Sequence, residues 1–374
     1  MTSARVPFFD RTRGDAAIEG ELTAAFHRVV RSGRYVLGPE VEVFEGECAR
    51  ALGVRHAVGV SSGSDAVLAA LMALRVGPGD EIICPAYTFF ATAGAIARLG
   101  ATPVFADSDP FTLLIDPASV AAGLSPRTRA IVAVHLFGRC ADIDALRAIT
   151  PLPIVEDAAQ AFGAKDALGR SAGAIGEMGC FSFFPTKNLG GFGDGGLVTT
   201  GDDALAARLR TLRAHGAPEK NHHTEVGGNF RLDALQAALL RVTLPGVDAA
   251  IAARREHAAQ YDRLLGEACL RDIVSPPADR AATYNQYVIR VLGAGVRDRL
   301  RTFLADEGVG TEVYYPVALH RQPCFASRGL GVGSLPMAEA AARETLALPV
   351  FPELEAREVT LVVEKIKDFF RTAE

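Results

Sequence analysis

The apolar positions of residues 55–200 alternate between two patterns. Short runs rich in β-branched residues are separated by longer stretches with helical spacing. This alternation is typical of βαβ units and a largely parallel sheet. Strands are predicted at 56–60, 81–84, 102–106, 130–135, 153–156, 180–184 and 196–199, and helices at 65–75, 91–99 and 143–149. A parallel sheet is buried on both sides, so we expect helices to cover both faces.

Beyond Arg231 the pattern becomes mainly helical. Leu235, Ala238, Leu239 and Val242 recur at helical spacing, and the pattern continues over 249–265. A strand at 284–291, a helix at 296–307, a strand at 312–317 and a helix at 360–370 then follow. We therefore predict a large domain over 1–245 and a small C-terminal α+β domain over 246–374.

Composition and charge exclude several classes of protein. With 374 residues, 49% of them hydrophobic and 22% charged, the chain can bury a large core. Its 39 basic and 44 acidic residues give a net charge of −5, which does not favour nucleic acid or an anionic membrane surface as a partner. No run approaches the roughly 20 uninterrupted apolar residues of a membrane-spanning helix, and residues 1–15 are charged. A soluble cytoplasmic protein is expected.

The cysteines give no sign of a metal site. They form no C-x-x-C pair and have no histidine at metal-ligand spacing, so buried, reduced thiols are the expectation. The six are Cys48, Cys84, Cys140, Cys180, Cys269 and Cys324.

Three segments can carry chemistry. The strand 56–60 runs through small and hydroxyl residues, 61–65, directly into a helix, so free N–H groups at the helix start can bind phosphate. An ordinary helix cap is the alternative. Asp157 ends a predicted strand, where ligands of open α/β sheets bind, although a buried aspartate can also be purely structural. Lys187 lies among aromatic and small residues, where it can become a neutral nucleophilic amine or simply extend to solvent.

One apparent motif is rejected. Gly191, Gly193 and Gly196 match G-x-G-x-x-G, but they precede a strand, whereas the dinucleotide fingerprint opens a helix. We interpret the segment as a loop that allows backbone to approach backbone.

Taken together, the motifs resemble a known family. In chain order they are Ser62-Gly63-Ser64-Asp65-Ala66, Pro85-Ala86-Tyr87-Thr88-Phe89, Glu156-Asp157-Ala158-Ala159-Gln160, Ser182-Phe183-Phe184-Pro185-Thr186-Lys187-Asn188 and Asn229-Phe230-Arg231-Leu232-Asp233. This set is similar to that of the DegT/DnrJ/EryC1/StrS sugar aminotransferases. The resemblance implies pyridoxal 5'-phosphate as cofactor and the aspartate-aminotransferase fold (type I), with a mostly parallel seven-stranded sheet flanked by helices.

The resemblance also implies roles around the cofactor ring. Lys187 would hold the cofactor as an internal aldimine, and Asp157 would pair with the pyridine nitrogen and keep it protonated. Gln160 would lie near the ring hydroxyl, and Phe89 would stack on the ring.

The phosphate would lie between Ser182 and the segment Gly63, Ser64 and Asp65. The family more often has threonine at the place of Ser64, which keeps the hydroxyl. Asn229 is similar to the family asparagine that reaches the neighbouring subunit's cofactor, so a homodimer with shared active sites is implied.

By resemblance, L-glutamate donates the amino group through a pyridoxamine phosphate intermediate, and Lys187 moves the proton. The acceptor would be a nucleotide-linked keto sugar, with UDP- or dTDP-linked 3-keto hexoses favoured by the segments 220–231 and 284–287. A 4-keto nucleotide sugar or a cyclitol ketone stays open, as does a regulatory protein that binds cofactor without turnover. Lysine rather than histidine at 187 favours transamination over dehydration.

The sequence indicates the residues that contact the substrate less clearly than those that contact the cofactor. His223 and Arg231 are candidates for hydroxyl or phosphate contacts. Tyr314, Tyr315 and His320 are candidates for closing the pocket from the small domain. Surface or packing roles are equally compatible with each of these residues.

Overall fold

The computed structural model describes residues 6–372, apart from the side chains of Arg328 and Thr372. The helices are α1 (Thr12–Ser32), α2 (Pro39–Leu52), α3 (Gly63–Ala73), α4 (Phe90–Arg98), α5 (Pro117–Gly123), α6 (Ile143–Ile149), α7 (Asp203–Leu212), α8 (Ala234–Thr243), α9 (Val247–Ala268), α10 (Val296–Asp306), α11 (Pro336–Glu344) and α12 (Ala356–Thr372). The strands are β1 (His56–Val60), β2 (Glu81–Pro85), β3 (Thr102–Ala106), β4 (Thr128–Val134), β5 (Ile154–Asp157), β6 (Met178–Ser182), β7 (Gly196–Thr200), β8 (Ile273–Val274), β9 (Tyr287–Val291) and β10 (Thr345–Leu348).

The large sheet has seven strands in the order β1-β7-β6-β5-β4-β2-β3. All neighbours are parallel except β7, which is antiparallel to both β1 and β6. The predicted mostly parallel seven-stranded sheet is confirmed, and each of its seven predicted strands is present with its ends shifted by at most two residues. Because β1 to β6 run the same way, their carboxyl ends meet at one edge.

Side-chain caps fix where several helices begin. Aspartates accept N–H groups of the first turn at α5, α6, α7 and α8, and Ser62 does so at α3. The sequence pattern did not indicate α1 and α2. Of the 21 residues in α1, only Ala25 and Val29 are buried, so its apolar stripe is narrow and weak as a signal.

The C-terminal part contains a second, three-stranded antiparallel sheet, β10-β9-β8. The prediction of a strand over 312–317 is wrong: Glu312 forms only an isolated bridge with Ala347, and the strand beside β9 is β10. Tyr314 and Tyr315 both pack against Phe137, so their side chains do not alternate between two faces of a sheet.

The domain boundary at residue 245 stays a prediction. Val6 packs in the core formed by β9, β10, α10 and α12, whereas Tyr315, Leu319 and Ala338 pack in the core of the large sheet. Residues from each side of residue 245 therefore pack in the core formed mainly by the other side.

One continuous helical run among residues 6–372, Ala234–Ala268, is long and apolar enough to cross a membrane by length and composition alone. It comprises α8, a turn containing Pro245, and α9. Leu240 and Tyr261 of this run pack into two different cores, as expected for a helix of a folded domain.

The cysteines are all free thiols, but the prediction that they are buried is wrong for two of them. Cys269 and Cys324 are exposed and Cys140 is half-buried, whereas Cys48, Cys84 and Cys180 are buried. Cys269 directly follows the C-terminal end of α9, and Cys324 lies in a short 3-10 helix, Pro323–Arg328.

Candidate active site

A cleft opens at the carboxyl ends of the parallel strands. Its lining comes from the segments that follow β1, β2, β5 and β6, and Gln286, Tyr314 and Tyr315 close it from the C-terminal part. The volume of the cleft is about 390 Å³. This is the edge at which open α/β sheets bind ligands.

The turn from β1 to α3 forms a cradle for an anion. Ser62 caps α3 by accepting the N–H of Asp65 at 3.0 Å, and the first N–H groups of the helix have no intrahelical acceptor. Glycine is required here, because a Cβ on Gly63 would lie 2.6 Å from the Cβ of Ser182. A Cβ on Gly196 would likewise lie 2.4 Å from the carbonyl oxygen of Ser62. The glycine-rich loop thus brings backbone against backbone, as the sequence suggested.

The side chain of Asp65 points elsewhere. Its carboxylate accepts the hydroxyl of Ser61 at 2.7 Å and lies 3.7 Å from the guanidinium of Arg98. Asp65 does not line the cleft, whereas Gly63, Ser64 and Ser182 do.

Asp157 places a carboxylate in the floor of the cleft at the end of β5. The side chain is buried, and its Oδ2 accepts the hydroxyl of Thr92 at 2.7 Å. Within the described residues, its Oδ1 receives only a long bond, 3.3 Å, from the N–H of Ala159. Burial raises the pKa of Asp157, against the opposing effects of these bonds and of Lys187. An acceptor with spare capacity therefore faces the site.

Lys187 lies in the loop after β6 and lines the same cleft. Burial lowers the pKa of Lys187 to about 8, although the charge of Asp157 acts in the opposite direction. An amine with this pKa has a sizeable neutral fraction near physiological pH, and this fraction can act as a nucleophile and as a base.

Gln160 connects the two parts of the molecule. Its Oε1 accepts the N–H of Phe137 at 2.7 Å, and its Nε2 donates to the hydroxyl of Tyr315 at 2.9 Å. Phe137 has φ +58° and ψ +13°, a left-handed conformation that is strained in a residue with a Cβ. The rings of Phe137 and Tyr315 stack, with centroids 6.1 Å apart. The amide orientation of Gln160 is therefore fixed from both sides.

Phe89 is the N-cap residue of α4, and its ring stays 58% exposed at the cleft. A large uncovered apolar ring beside polar groups is suited to stacking on a planar ligand.

Sequence reasoning missed several residues of the cleft. Thr88, Thr186, Asp194 and Gln286 line it, and Thr92 lies behind it against Asp157. Helical spacing after Phe89 was the available signal for Thr92, since it lies one turn along α4.

Besides Asp65, four predicted residues lie outside this cleft. Asn229 is exposed in an isolated bridge with Ala214, and Arg231 bridges Val60. His223 is exposed, with its Nδ1 2.9 Å from the carbonyl oxygen of His215. His320 is buried, 3.1 Å from the carboxylate of Glu339.

The residues of the cleft fit pyridoxal phosphate. A crowded helix start beside Ser182 suits the phosphate, Asp157 suits a protonated ring nitrogen, and Lys187 suits the aldehyde. Among residues 6–372, no group of three or more His, Cys, Asp or Glu side chains is arranged to hold a metal ion.

The sheet and this site together define a pyridoxal-phosphate enzyme of the aspartate-aminotransferase fold. Residues 16–367 match the model of the DegT/DnrJ/EryC1/StrS aminotransferase family, and the chain belongs to that family. It is an aminotransferase with pyridoxal phosphate as its cofactor.

Several known proteins are similar along almost the whole chain. A pleiotropic regulatory protein of Geobacillus stearothermophilus is 48% identical, covering 98% of this chain and 99% of its own length. A dTDP-3-amino-3,4,6-trideoxy-alpha-D-glucose transaminase of Streptomyces venezuelae is 44% identical, covering 98% and 96%. A UDP-2-acetamido-2-deoxy-3-oxo-D-glucuronate aminotransferase of Pseudomonas aeruginosa is 40% identical, covering 96% and 98%.

The fold is also found in solved structures. The crystal structure of S. venezuelae DesV in complex with a ketimine intermediate superimposes with a TM-score of 0.93 at 43% identity. The match covers 98% of this chain and 99% of that one.

Proposed function

We propose that this aminotransferase moves the amino group of L-glutamate onto a nucleotide-linked keto sugar. The observation that carries the proposal is the meeting of Lys187 and Asp157 in one roomy cleft, with Tyr314 and Gln286 at its other wall. The cleft opens to solvent, so a substrate can reach the place of the cofactor.

Each residue has a distinct task in this proposal. When bound, the cofactor supplies an electron sink for the carbon that loses its proton. The neutral amine of Lys187 takes that proton from the substrate carbon and delivers it in the following step. Asp157 holds a proton at the ring nitrogen, and Gly63, Ser64 and Ser182 hold the phosphate.

We favour a UDP- or dTDP-linked 3-keto hexose as the acceptor. The S. venezuelae and P. aeruginosa relatives are named for a dTDP-linked 3-amino sugar and a UDP-linked 3-oxo sugar. A 4-keto nucleotide sugar or a cyclitol ketone of the inosose type is the alternative acceptor. All of these present a ketone beside hydroxyl groups, which suits the hydroxyls of Tyr314 and Tyr315 at the cleft.

An absorbance spectrum followed by a substrate panel tests the reaction. The purified protein with pyridoxal phosphate should absorb in the visible range, and L-glutamate should shift this absorbance to the near ultraviolet. Each keto sugar and one inosose are then added separately, and the effective acceptor restores the visible band. A band that glutamate leaves unchanged rejects this donor, and restoration by the inosose alone rejects the nucleotide sugar.

We propose further that the enzyme is a cytoplasmic homodimer with shared sites. Asn229, His223 and Arg231 lie outside the cleft of their own chain, and Asn229 and His223 are exposed, as residues that serve a partner's site would be. Large apolar side chains are also exposed on α1, α2 and the segment between them: Phe26, Val30, Tyr35, Val36 and Val43. Such a concentration favours a protein contact.

Subunit complementation tests this arrangement. Lys187→Ala and Asn229→Ala are each expected to lose activity as homodimers. In a mixed dimer, one site keeps both native residues, so combining the two variants should restore activity. Absence of restoration in mixtures shown to have exchanged subunits, or a monomer in sedimentation, rejects shared sites.

A further inference from the structure

The hydroxyl of Thr92 makes an unusual bond for a threonine in a helix. It lies in the first turn of α4, is fully buried, and donates to Oδ2 of Asp157 at 2.7 Å. A hydroxyl in a helix commonly donates instead to the carbonyl four residues earlier. Thr211, Thr302 and Thr360 of this chain do so, at 3.1 to 3.2 Å.

The bond from Thr92 orients the carboxylate of Asp157. A carboxylate has room for about four hydrogen bonds, two at each oxygen. Oδ2 accepts the short bond from Thr92, whereas among residues 6–372 Oδ1 receives only the long bond from Ala159. Thr92 thus fixes the rotation of the carboxylate and leaves Oδ1 with the greater spare capacity.

The bond also stabilises the charged form of Asp157, which burial disfavours. Burial opposes ionisation of Asp157, and no cation is within ion-pair distance of it among residues 6–372. A charge-assisted bond from a neutral hydroxyl supports the anion without neutralising it. The full charge then stays available to a protonated ring nitrogen.

We propose that Thr92 is a positioning residue of the cofactor site, which orients Asp157 toward the ring nitrogen of pyridoxal phosphate. The inference rests on the cofactor, not on the amino donor or the acceptor. A wrong assignment of the donor or acceptor would therefore leave this proposal unaffected.

The test measures cofactor binding to three variants. Thr92→Val removes the hydroxyl at nearly constant size, and Thr92→Ser keeps it. Thr199→Val is the matched control, because Thr199 is also fully buried but donates to the carbonyl of Gly173 rather than to Asp157. Each variant is titrated with pyridoxal phosphate and with its 1-deaza analogue, in which a carbon replaces the ring nitrogen. Thermal unfolding shows that each variant is folded.

We expect Thr92→Val to weaken binding of pyridoxal phosphate about tenfold, equal to about 1.4 kcal/mol. It should leave binding of the deaza analogue nearly unchanged, because that ring has no nitrogen for Asp157 to meet. Thr92→Ser should bind pyridoxal phosphate as the wild type does, and Thr199→Val should not distinguish the two rings.

Three results would overturn the proposal. They are equal weakening of both ligands by Thr92→Val, wild-type binding of pyridoxal phosphate by that variant, and failure of Thr92→Ser to restore binding. If Thr92→Val does not fold, Thr92→Ala and Thr92→Ser are compared on the same two ligands.

Discussion

Two adjacent acids of β5, Glu156 and Asp157, project from opposite faces of the strand into different surroundings. The Glu156 carboxylate accepts four hydrogen bonds, all from within the chain. They come from the ring of His135 and from the N–H groups of Gly173, Ile175 and Gly176, at 2.6 to 2.8 Å. Asp157, facing the cleft, has one short bond and one long bond.

The completeness of hydrogen bonding, more than burial, separates the two carboxylates. Both are buried. Burial alone would raise the pKa of Glu156, but the bonds from His135 and the backbone hold it below its ordinary value. For Asp157 burial dominates and raises the pKa. A buried acid with unused capacity marks the functional side of the strand, and a saturated one marks the structural side.

The largest expected effect comes from the acid that faces the cleft. Asp157→Asn should reduce the rate of the reaction with the amino donor about 10²–10³-fold, because the ring nitrogen loses its charged partner. The free energy of unfolding without cofactor should change by less than about 1 kcal/mol, since no cation among residues 6–372 lies within ion-pair distance of Asp157. Stopped-flow absorbance and urea unfolding measure the two quantities. If Asp157→Asn strongly lowered the free energy of unfolding but kept the wild-type rate, Asp157 would be the structural acid of the pair.

Glu156→Gln should lower stability strongly and cofactor binding only slightly. Each carboxylate oxygen meets two N–H donors, so either orientation of the amide places its NH₂ group against donors. We expect a loss of about 3 kcal/mol in the free energy of unfolding. Folded molecules should bind the cofactor within about threefold of wild type, an effect under about 1 kcal/mol. Wild-type stability with a strong loss of cofactor affinity would contradict a structural role.

The smallest expected effect is on the pKa of Lys187, which only one of the two acids should influence. Covalent capture of pyridoxal phosphate needs a neutral amine, so its rate should rise with pH through about 8. Because the charge of Asp157 raises the pKa of Lys187, Asp157→Asn should shift this midpoint to lower pH. Glu156→Gln should leave it in place. Borohydride trapping followed by mass spectrometry across a pH series measures the rate. A midpoint that moves equally in both variants would show that the two acids act alike.

The sequence predicted the cofactor end of the site far better than the substrate end. Asp157 and Ser182 lie at the ends of the neighbouring strands β5 and β6, and Lys187 lies in the loop after β6. The apolar pattern predicted both strands. The opposite wall depends on distant packing. Tyr315 reaches the cleft because it packs against Tyr87 and Phe137, which no local pattern indicates.

Histidines illustrate the same limit. His320 follows the tyrosine motif closely in the sequence, yet its ring is buried against Phe105 and Glu339. His135, which no motif singled out, accepts the N–H of Ala141 at Nδ1, so its Nε2 carries the hydrogen that Glu156 accepts. Which partners surround an imidazole is decided by tertiary structure, not by spacing along the chain.

The left-handed backbone of Phe137 bears on protein engineering. A stability screen would find this position attractive, because glycine or asparagine adopts φ +58° at lower cost. Replacement would also remove the ring that stacks on Tyr315 and free the backbone whose N–H holds Gln160. Such a variant should relieve the backbone strain but lose the packing of the ring, and it should hold the two halves of its cleft less firmly. Backbone strain and side-chain packing are thus set against each other at a single torsion angle.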